Sequence, residues 1–432
     1  MKHFCRCVRD RILVRLFLLA LLWVASGAAA QVTVIKAGRL VDTASGTILN
    51  HQIILIRDGR IEAVGGSVNI PSDAKVIDLS RMTVLPGLID CHTHLVDSYD
   101  EADPLGELER TAAQDAFQSI PHAKAVLLAG FTTVRDMGTY RALVDVALRD
   151  AIARGDVAGP RMFVAGAYVT ITGGAGAVTG FAPDISLPWD LHYGEANSPW
   201  EVRQRVRALA HQRVDVIKVL ATGAVLTHNS NLKSQEFTPE ELRAAVEEAS
   251  SFGLKVAAHA HSAEGIKNAV RAGVASIEHG SMLDAEGIQL MKQHGTFLVP
   301  TLEVHDCIQA AGHEPPDFVE HDRNLAQIQR ANFRKAVEAG VKVAFGTDIS
   351  VCPFGSNGKE FKLMVDNGMS PMQAIQAATV GAADLIGASE QIGSIRPGKS
   401  ADVIAVEGDP LQDVKVLEQM KFVMKEGVVY KQ

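Results

Sequence analysis

Short apolar runs separated by turn signals mark both ends of the chain. Near the amino terminus, apolar runs at 53–56 and 61–64 flank Asp58-Gly59, and Asp-Gly between such runs predicts a β-hairpin. The same pattern returns after residue 400. Each end is too short to enclose a core of its own, so we expect the two to pair. The pattern therefore predicts one small β-sandwich, built from residues 31–83 and 393–432.

The central part of the chain has a different pattern, in which short apolar runs alternate with helical ones. Strand-helix alternation repeated eight times, with strands that are apolar throughout, predicts an α/β fold of the (β/α)8 TIM-barrel type over residues 84–392. Thr238-Pro239-Glu240-Glu241 and Ser370-Pro371 are start signals for two of its helices. An open doubly wound sheet is the alternative, but no predicted strand is followed by the Gly-x-Gly-x-x-Gly of a dinucleotide site. The eight apolar runs are Leu85–His94, Gly130–Asp136, Arg161–Ala167, Val214–Ala221, Leu254–His261, Gly273–His279, Gly295–Thr301 and Val341–Asp348.

Polar residues end several of these predicted strands. His92 and His94 are two residues apart at the end of the first strand, so their side chains point to the same face. Active sites of parallel barrels lie at the carboxyl ends of the strands, so we expect the strand-end groups to converge into a metal site. The others are Lys218, His259, His261, His279 and Asp348. Surface or capping roles are expected for the histidines elsewhere, which are His51, His122, His192, His211, His294, His305, His313 and His321.

Two of the strand-end residues have alternative interpretations. Lys218 interrupts an apolar strand, where an unpaired ammonium would cost several kcal/mol. Either it pairs with a carboxylate or reaches the rim, or its desolvated neutral amine has added carbon dioxide to give a carbamate that bridges two metals. Asp348 either caps the next helix or binds metal and accepts a proton.

Composition and charge narrow the class of protein. With 432 residues, of which 47% are hydrophobic, the chain can bury a large core. The formal net charge is −8, without basic runs outside the amino-terminal segment, and this excludes nucleic acid and anionic membranes as expected partners.

The amino-terminal segment has the features of a secretory signal peptide. A basic leader precedes the apolar run 16–24, and Ala28-Ala29-Ala30 follows this run. We predict a signal peptide over residues 1–30, cleaved after Ala30, and a secreted or periplasmic protein. An uncleaved anchor helix is the alternative, although the run is too short to span a bilayer.

Three cysteines remain after the leader, at positions 91, 307 and 352. Their odd number and wide spacing do not predict a disulfide framework, so we expect buried thiols. No Cys-x-x-Cys pair suggests a cysteine-ligated metal.

The motifs at the strand ends resemble those of the amidohydrolase superfamily, over essentially the whole mature chain. Within it, the chain resembles the branch with a carboxylated lysine and two zinc ions, related to imidazolonepropionases and to Xaa-Pro and Xaa-Arg/Lys dipeptidases, and including amidohydrolases that hydrolyse ochratoxin. The motifs that carry the resemblance are Pro86–His94, Val216–Lys218, Ala258–His261, Ile277–Gly280, Gly346–Asp348 and Gly393–Asp402.

The resemblance implies two Zn²⁺ ions per subunit, bridged by carboxylated Lys218. His92, His94 and Asp348 would hold the more buried ion, and His259 and His279 the more exposed one. His261 would then lie behind the ligands or face the substrate, although the choice between His259 and His261 stays open. Dipeptidase relatives often have Gly-Gly-His after the third strand, whereas this chain has Gly173-Gly174-Ala175. The task of that histidine would fall to His228 or His261.

The expected function is that of a secreted metal-dependent amidohydrolase. It would cleave the amide next to a carboxyl-terminal amino acid in dipeptides, N-acyl amino acids or ochratoxin. A hydroxide that bridges the zinc ions would attack the carbonyl, with Asp348 as the proton shuttle. Insertions at Pro183–Pro199 and Glu303–His321 suggest lids or subunit contacts, and relatives are commonly homo-oligomers. Candidates to bind the substrate carboxylate are Arg161, His228, Asn229, Asn231 and Lys233.

Two other functions are compatible with the same residues. The metal site could open a cyclic amide, a lactone or a phosphotriester, because fold and metals do not choose the substrate. A non-catalytic scaffold is disfavoured, because all six ligand types are present at strand ends.

Overall fold

The computed structural model describes residues 32–97, 106–182, 184–227, 230–311 and 316–432. The predicted signal peptide, residues 1–30, lies outside this part of the chain and stays a prediction. None of the described helices is long and apolar enough to cross a lipid bilayer.

Strands lie at both ends of the chain and alternate with helices between them. The strands are β1 Thr33–Asp42, β2 Thr47–Arg57, β3 Arg60–Gly65, β4 Lys75–Pro86, β5 Leu88–Thr93, β6 Phe131–Asp136, β7 Arg161–Val164, β8 Tyr168–Val169, β9 Val216–Leu220, β10 Lys255–Ala260, β11 Ser276–His279, β12 Phe297–Val299, β13 Val403–Val406, β14 Phe422–Lys425 and β15 Val428–Lys431. The helices are α1 Gly106–Glu109, α2 Ala112–Leu128, α3 Val144–Arg154, α4 Pro199–His211, α5 Pro239–Ser251, α6 Ala263–Ala272, α7 Ala285–His294, α8 Glu303–Ala311, α9 Pro316–Ala339, α10 Lys359–Asp366, α11 Pro371–Gln376 and α12 Ala382–Ile386.

The two ends of the chain form one seven-stranded sheet, in the order β15-β14-β13-β4-β1-β2-β3. Antiparallel pairing of β13 with β4, with Ile404 opposite Leu85, joins the ends as the sequence predicts. The predicted hairpin is β2–β3, and its turn residues Asp58 and Gly59 have φ angles of 50° and 72°. The terminal strands that the structure describes are thus hydrogen bonded into a single β unit built from both ends of the chain.

The central strands form two parallel sheets, β5-β6-β7 and β12-β11-β10-β9-β8. The chain turns between β7 and β8 at Gly166, which has a φ angle of 79°. The eighth predicted strand, 341–348, is not a regular strand, but it lies between the edges of the two sheets. Ala344 N donates to Leu298 O on one side, and Cys91 N donates to Phe345 O on the other. Seven of the eight predicted strands are therefore present, whereas a closed eight-stranded ladder is not seen among the described residues.

Helix start signals and aromatic packing support this architecture. Thr238 and Ser370 each cap a helix with a capping box, and proline occupies the first turn of both. The ring of Phe345, in the run 341–348, lies 5.4 Å from Phe131 of β6 and 4.5 Å from Phe361 of α10. Buried aromatic contacts therefore fix this irregular run against both a strand and an outer helix.

The cysteines differ from the expectation of three buried thiols. Cys307 and Cys352 form a disulfide with a Cα–Cα distance of 5.4 Å, whereas Cys91 is a free buried thiol. The prediction was wrong because the two partners are 45 residues apart in the chain and meet only where α8 packs against the loop after Asp348.

Candidate metal centre and active site

The strand-end residues converge on one cavity. They form two triads, and within each triad one potential ligand atom of every residue lies within 4.8 Å of the others. The triads are adjacent, because the rings of His92 and His279 are 5.0 Å apart between centroids. Such a double cluster of buried imidazoles and a carboxylate is suited to two metal ions. The triads are His92, His94 and Asp348, and His259, His261 and His279.

The hydrogen bonds of the first triad leave the correct ring nitrogens free for a metal. His92 Nδ1 lies 2.8 Å from Glu278 Oε2, and His94 Nδ1 lies 2.8 Å from the carbonyl oxygen of Gly138. Each Nδ1 must donate to its oxygen, so each Nε2 carries the lone pair. These Nε2 atoms face Asp348 Oδ1 at 3.5 and 3.3 Å. The three side chains thus present their electron pairs to one another across a space suited to a cation.

The second triad is arranged in a similar way. His259 Nε2 lies 3.2 Å from the carbonyl oxygen of Gly223, so its lone pair is on Nδ1. His261 Nδ1 lies 2.8 Å from Ser281 Oγ, and that hydroxyl donates to Gln329, so His261 also has a free Nε2. Burial, followed by the charge of Lys218, lowers the pKa of His259 to about 3, which keeps the ring neutral. Both His259 and His261 therefore offer a lone pair beside His279.

Lys218 points inward, with its side chain 2% exposed. Its Nζ atom lies 3.4 Å from His92 Nε2. Burial lowers the pKa of the amine to about 8, although Glu278 and Asp348 oppose the shift. At pH 7 about a tenth of this amine is therefore neutral, and only the neutral amine adds carbon dioxide.

Backbone geometry places the acidic member of the site. Asp348 and His279 have φ angles of 60° and 68°, a left-handed conformation that residues other than glycine rarely adopt. Burial alone would raise the pKa of Asp348, but the interactions with His92, His94 and Lys218 lower it below its usual value. Asp348 is therefore an ionised carboxylate, able to bind a cation or to accept a proton.

A buried ion pair behind the first triad was not predicted from the sequence. Glu278 is fully buried, and its carboxylate accepts from Arg135 at 2.8 Å as well as from His92. Arg135 also donates to the carbonyl oxygen of Cys91 at 2.6 Å, which ties β6 to β5. The sequence contained a signal for this pair, because each residue is a charge inside a predicted strand of the barrel.

The triads form the floor of a cavity of about 110 Å³. Tyr168 lies beside it, and its hydroxyl donates to Asp97 Oδ2 at 2.9 Å and lies 3.0 Å from His94 Nδ1. Ala175, which follows Gly173-Gly174, also lines the cavity. Most of the remaining lining is apolar, as is common in sites for small organic ligands.

His305 was expected to be a surface or capping residue, and this prediction was wrong. It is 2% exposed and lines the cavity from α8. Its Nδ1 and Nε2 atoms are hydrogen bonded to Asp322 at 2.6 Å and to Gln329 at 2.7 Å. Both ring nitrogens are occupied, so His305 is a wall residue rather than a free ligand. Its position shortly after the seventh strand was the only signal in the sequence.

The predicted carboxylate-binding residues are placed elsewhere. Arg161 lies at the amino end of β7, away from the cavity, where it pairs with Asp402 and Glu426 at 2.7 Å. That placement corrects the prediction that Arg161 binds substrate, because a strand carries its catalytic groups at its carboxyl end. Asn231 and Lys233 are exposed and do not line the cavity. His228 and Asn229 lie outside the described residues.

Comparison with known proteins relates the chain to a group of amide hydrolases. The sequence profile of the amidohydrolase family matches residues 83–431. An ochratoxinase of Aspergillus niger is 33% identical over 436 residues, which cover 94% of this chain and 88% of that protein. The crystal structure of that ochratoxinase is similar with a TM-score of 0.81 at 30% identity, covering 93% of this chain and 96% of that one. A Xaa-Pro dipeptidase, solved with methionine in its active site, has a TM-score of 0.87 and 39% identity, covering 93% of this chain and 100% of that one.

Proposed function

Because the chain belongs to the amidohydrolase family, and is therefore a hydrolase of amide C–N bonds, we propose that it cleaves dipeptide-like amides at a centre that holds two Zn²⁺ ions. The observation that carries this proposal is the pair of adjacent triads with the buried amine of Lys218 beside them. Neutral imidazole and carboxylate are the donors that zinc prefers in catalytic sites. In the rings whose hydrogen bonds were described above, one nitrogen donates to a protein group and the other keeps its lone pair for such an ion. These rings are His92, His94, His259 and His261.

We assign the ligands as the resemblance implies. His92, His94 and Asp348 would hold one ion, His259 and His279 the other, and carboxylated Lys218 would bridge them. When bound, the ions would polarise the amide carbonyl and provide hydroxide at neutral pH. Asp348 would take up the proton released in the attack and return it to the departing amine. His261, whose Nε2 faces the cavity, would position the substrate carbonyl in place of the missing histidine at Ala175.

The proposed substrates are dipeptides and N-acyl amino acids, with ochratoxin among the latter. The support comes from the relatives, which are named as an ochratoxinase and a Xaa-Pro dipeptidase. A carboxyl-terminal amino acid would be the common product of both kinds of substrate.

The test measures metal content and amide hydrolysis in the same samples. Purified protein is assayed on dipeptides and N-acyl amino acids varied at the carboxyl-terminal residue, on ochratoxin, and on a lactone and a phosphotriester. We expect about two equivalents of zinc and hydrolysis of the amides. Faster turnover of the lactone or the phosphotriester than of the amides would contradict the proposed amide substrates. Active protein with less than one equivalent of zinc would refute the dinuclear centre.

Lys218→Ala tests the bridge directly. We expect loss of both metal and activity, with partial recovery when short carboxylic acids are added, because their carboxylate can take the place of the carbamate. Lys292→Ala, at an exposed position on α7, is the matched control and should behave as the wild type. Full activity of Lys218→Ala without added acid would exclude a bridging role.

We also propose secretion or periplasmic export through the leader, residues 1–30. The disulfide supports this location, because such bonds persist mainly in oxidising compartments. Amino-terminal sequencing of the exported protein should give Gln31 as the first residue, whereas an intact leader would contradict cleavage. The homo-oligomer and the lid roles of the two insertions stay predictions.

A further inference from the structure

One wall of the active-site cavity is formed by α8 together with residues 350–352, and we call this segment the partition. Val304 and Ile308 lie four residues apart on one face of α8 and point into the cavity, where Val351 joins them. Among the described residues that line the cavity, Lys218 is the only lysine or arginine. The partition therefore presents mainly apolar side chains, together with His305 and Ser350, beside the floor of histidines.

A second, larger cavity lies on the other side of the partition. It has a volume of about 610 Å³, and it is lined by the opposite face of α8, including Cys307 and Ala310. Val351 borders both cavities. Val351 and the outer face of α8 therefore border open space, whereas the part of α8 that carries His305 rests against α9. The second cavity leaves the partition room to move outward.

Hydrogen bonds and one disulfide hold the partition in place. His305 and Gln309 of α8 are hydrogen bonded to Asp322 of α9, and His305 also to Gln329. The carboxylate of Glu360 accepts from the backbone N–H groups of Leu302 and Glu303 at 2.9 and 2.7 Å, which fixes the start of α8. One turn later, the disulfide joins Cys307 to Cys352 and so ties α8 to the loop that follows Asp348. It is the one covalent link between the two halves of the partition.

We propose that the Cys307–Cys352 disulfide fixes the partition as the specificity-determining wall, against which an apolar side chain of the substrate packs. The inference rests on the proposed function, since it assigns a substrate contact to that site. Without the bond, Val304 and Ile308 would recede from residue 351 into the second cavity. Small apolar side chains would then lose contact with the wall, and bulky ones would gain room.

The test uses the double variant Cys307→Ala/Cys352→Ala and a series of dipeptides whose two side chains are enlarged separately from alanine to leucine to phenylalanine to tryptophan. We expect the ratio of kcat/KM between bulky and small substrates to rise about tenfold for one of the two side-chain positions. The change should appear in KM, with kcat and zinc content within about twofold of the wild type, since the floor is untouched. A merely structural disulfide would lower the amount of active enzyme without changing this ratio.

Two matched variants locate the effect. Ile308→Ala removes part of the wall and should shift the ratio in the same direction with the disulfide intact. Ile328→Ala, at an exposed position on α9, should leave it unchanged. An unchanged ratio in folded, zinc-loaded double variant and in Ile308→Ala would overturn the inference.

Reduction of the wild type provides a second measurement if the double variant does not fold. A phosphine breaks the S–S bond, each sulfur takes up a proton, and the phosphine becomes its oxide with oxygen from water. Cys307 borders the second cavity, which gives the reagent access. Reduced, folded enzyme should show the same rise in the ratio of kcat/KM between bulky and small substrates. An unchanged ratio would contradict the proposal that the disulfide fixes the partition. Wild type without amide hydrolysis on any member of the series would refute the proposed function itself, which is a different result.

Discussion

The floor and the partition of the same cavity are held in different ways. On the floor, imidazole nitrogens that face away from the cavity are hydrogen bonded to protein groups, as His92 is to Glu278 and His94 to Gly138. The partition borders a second cavity and is held by one disulfide, by the carboxylate of Glu360 and by the hydrogen bonds of His305 to α9. In the functions proposed above, the strands of the floor carry the chemistry, and the partition, tied by a disulfide, carries the selectivity.

The largest expected effect is at the floor, with Asp348→Asn. The amide keeps the shape and one oxygen, but it cannot accept a proton, so kcat should fall about a thousandfold while metal is retained. Turnover and zinc content are measured on the same preparation. Asp366→Asn, which changes an exposed carboxylate paired with Lys362, is the control and should have wild-type turnover. Near-normal turnover of Asp348→Asn would remove the proton-shuttle role and would weaken the distinction between floor and partition.

The floor could be predicted from the sequence because a polar residue at the end of an apolar strand has a defined place in a parallel sheet. All six strand-end ligand candidates were found in this way, and the structure brings them together. The eighth strand was predicted but is irregular. The run is so crowded that a Cβ at Gly346 would collide with Val299 and with His92 in the neighbouring strands. Crowding of this kind depends on tertiary contacts that periodicity does not contain.

The partition could not be predicted, for a related reason. His305 and the disulfide lie on a helix and a loop, whose positions depend on how distant segments pack rather than on strand periodicity. Arg161 was predicted wrongly for another reason. It was expected at the cavity, which lies at the carboxyl ends of the strands, but it is the first residue of β7 and lies at the opposite end. Its partners Asp402 and Glu426 come from the far end of the chain and give no local signal.

The next largest effect is expected at the buried ion pair behind His92. Glu278→Gln tests whether this pair strengthens metal binding. The substitution keeps the size of the side chain but removes the charge that orients His92 and pairs with Arg135. Loss of such a partner typically weakens metal binding about 10- to 100-fold. Zinc affinity is measured by competition with a chelator, and Glu247→Gln, an exposed partner of Arg203, is the control. Unchanged affinity would show that the floor keeps its geometry without this ion pair.

The smallest expected effect is at another part of the cavity wall, the loop that carries Ala175. The carboxylate of Glu236 accepts from the backbone N–H of Ala175 at 2.9 Å, and burial raises the pKa of this carboxyl to about 7. The folded protein therefore binds a proton at Glu236 between about pH 4.5 and 7 that the unfolded chain releases. The stability from this group is present below about pH 4.5 and is lost as the pH rises through 7.

Glu236→Gln removes the titration of this carboxyl group and leaves the residues of the floor unchanged, so it tests this part of the wall alone. The free energy of unfolding of the wild type should fall between pH 4.5 and 8 by about 2 kcal/mol more than that of the variant. Urea unfolding at both pH values measures the difference, and Glu195→Gln, which removes a carboxylate in the neighbouring segment, is the control. Because the side-chain amide oxygen of the variant could still accept from the backbone N–H of Ala175, kcat should change little at pH 7. Parallel pH dependence in the wild type and Glu236→Gln would mean that folding does not raise the pKa of Glu236, and it would contradict the expected titration in this part of the wall.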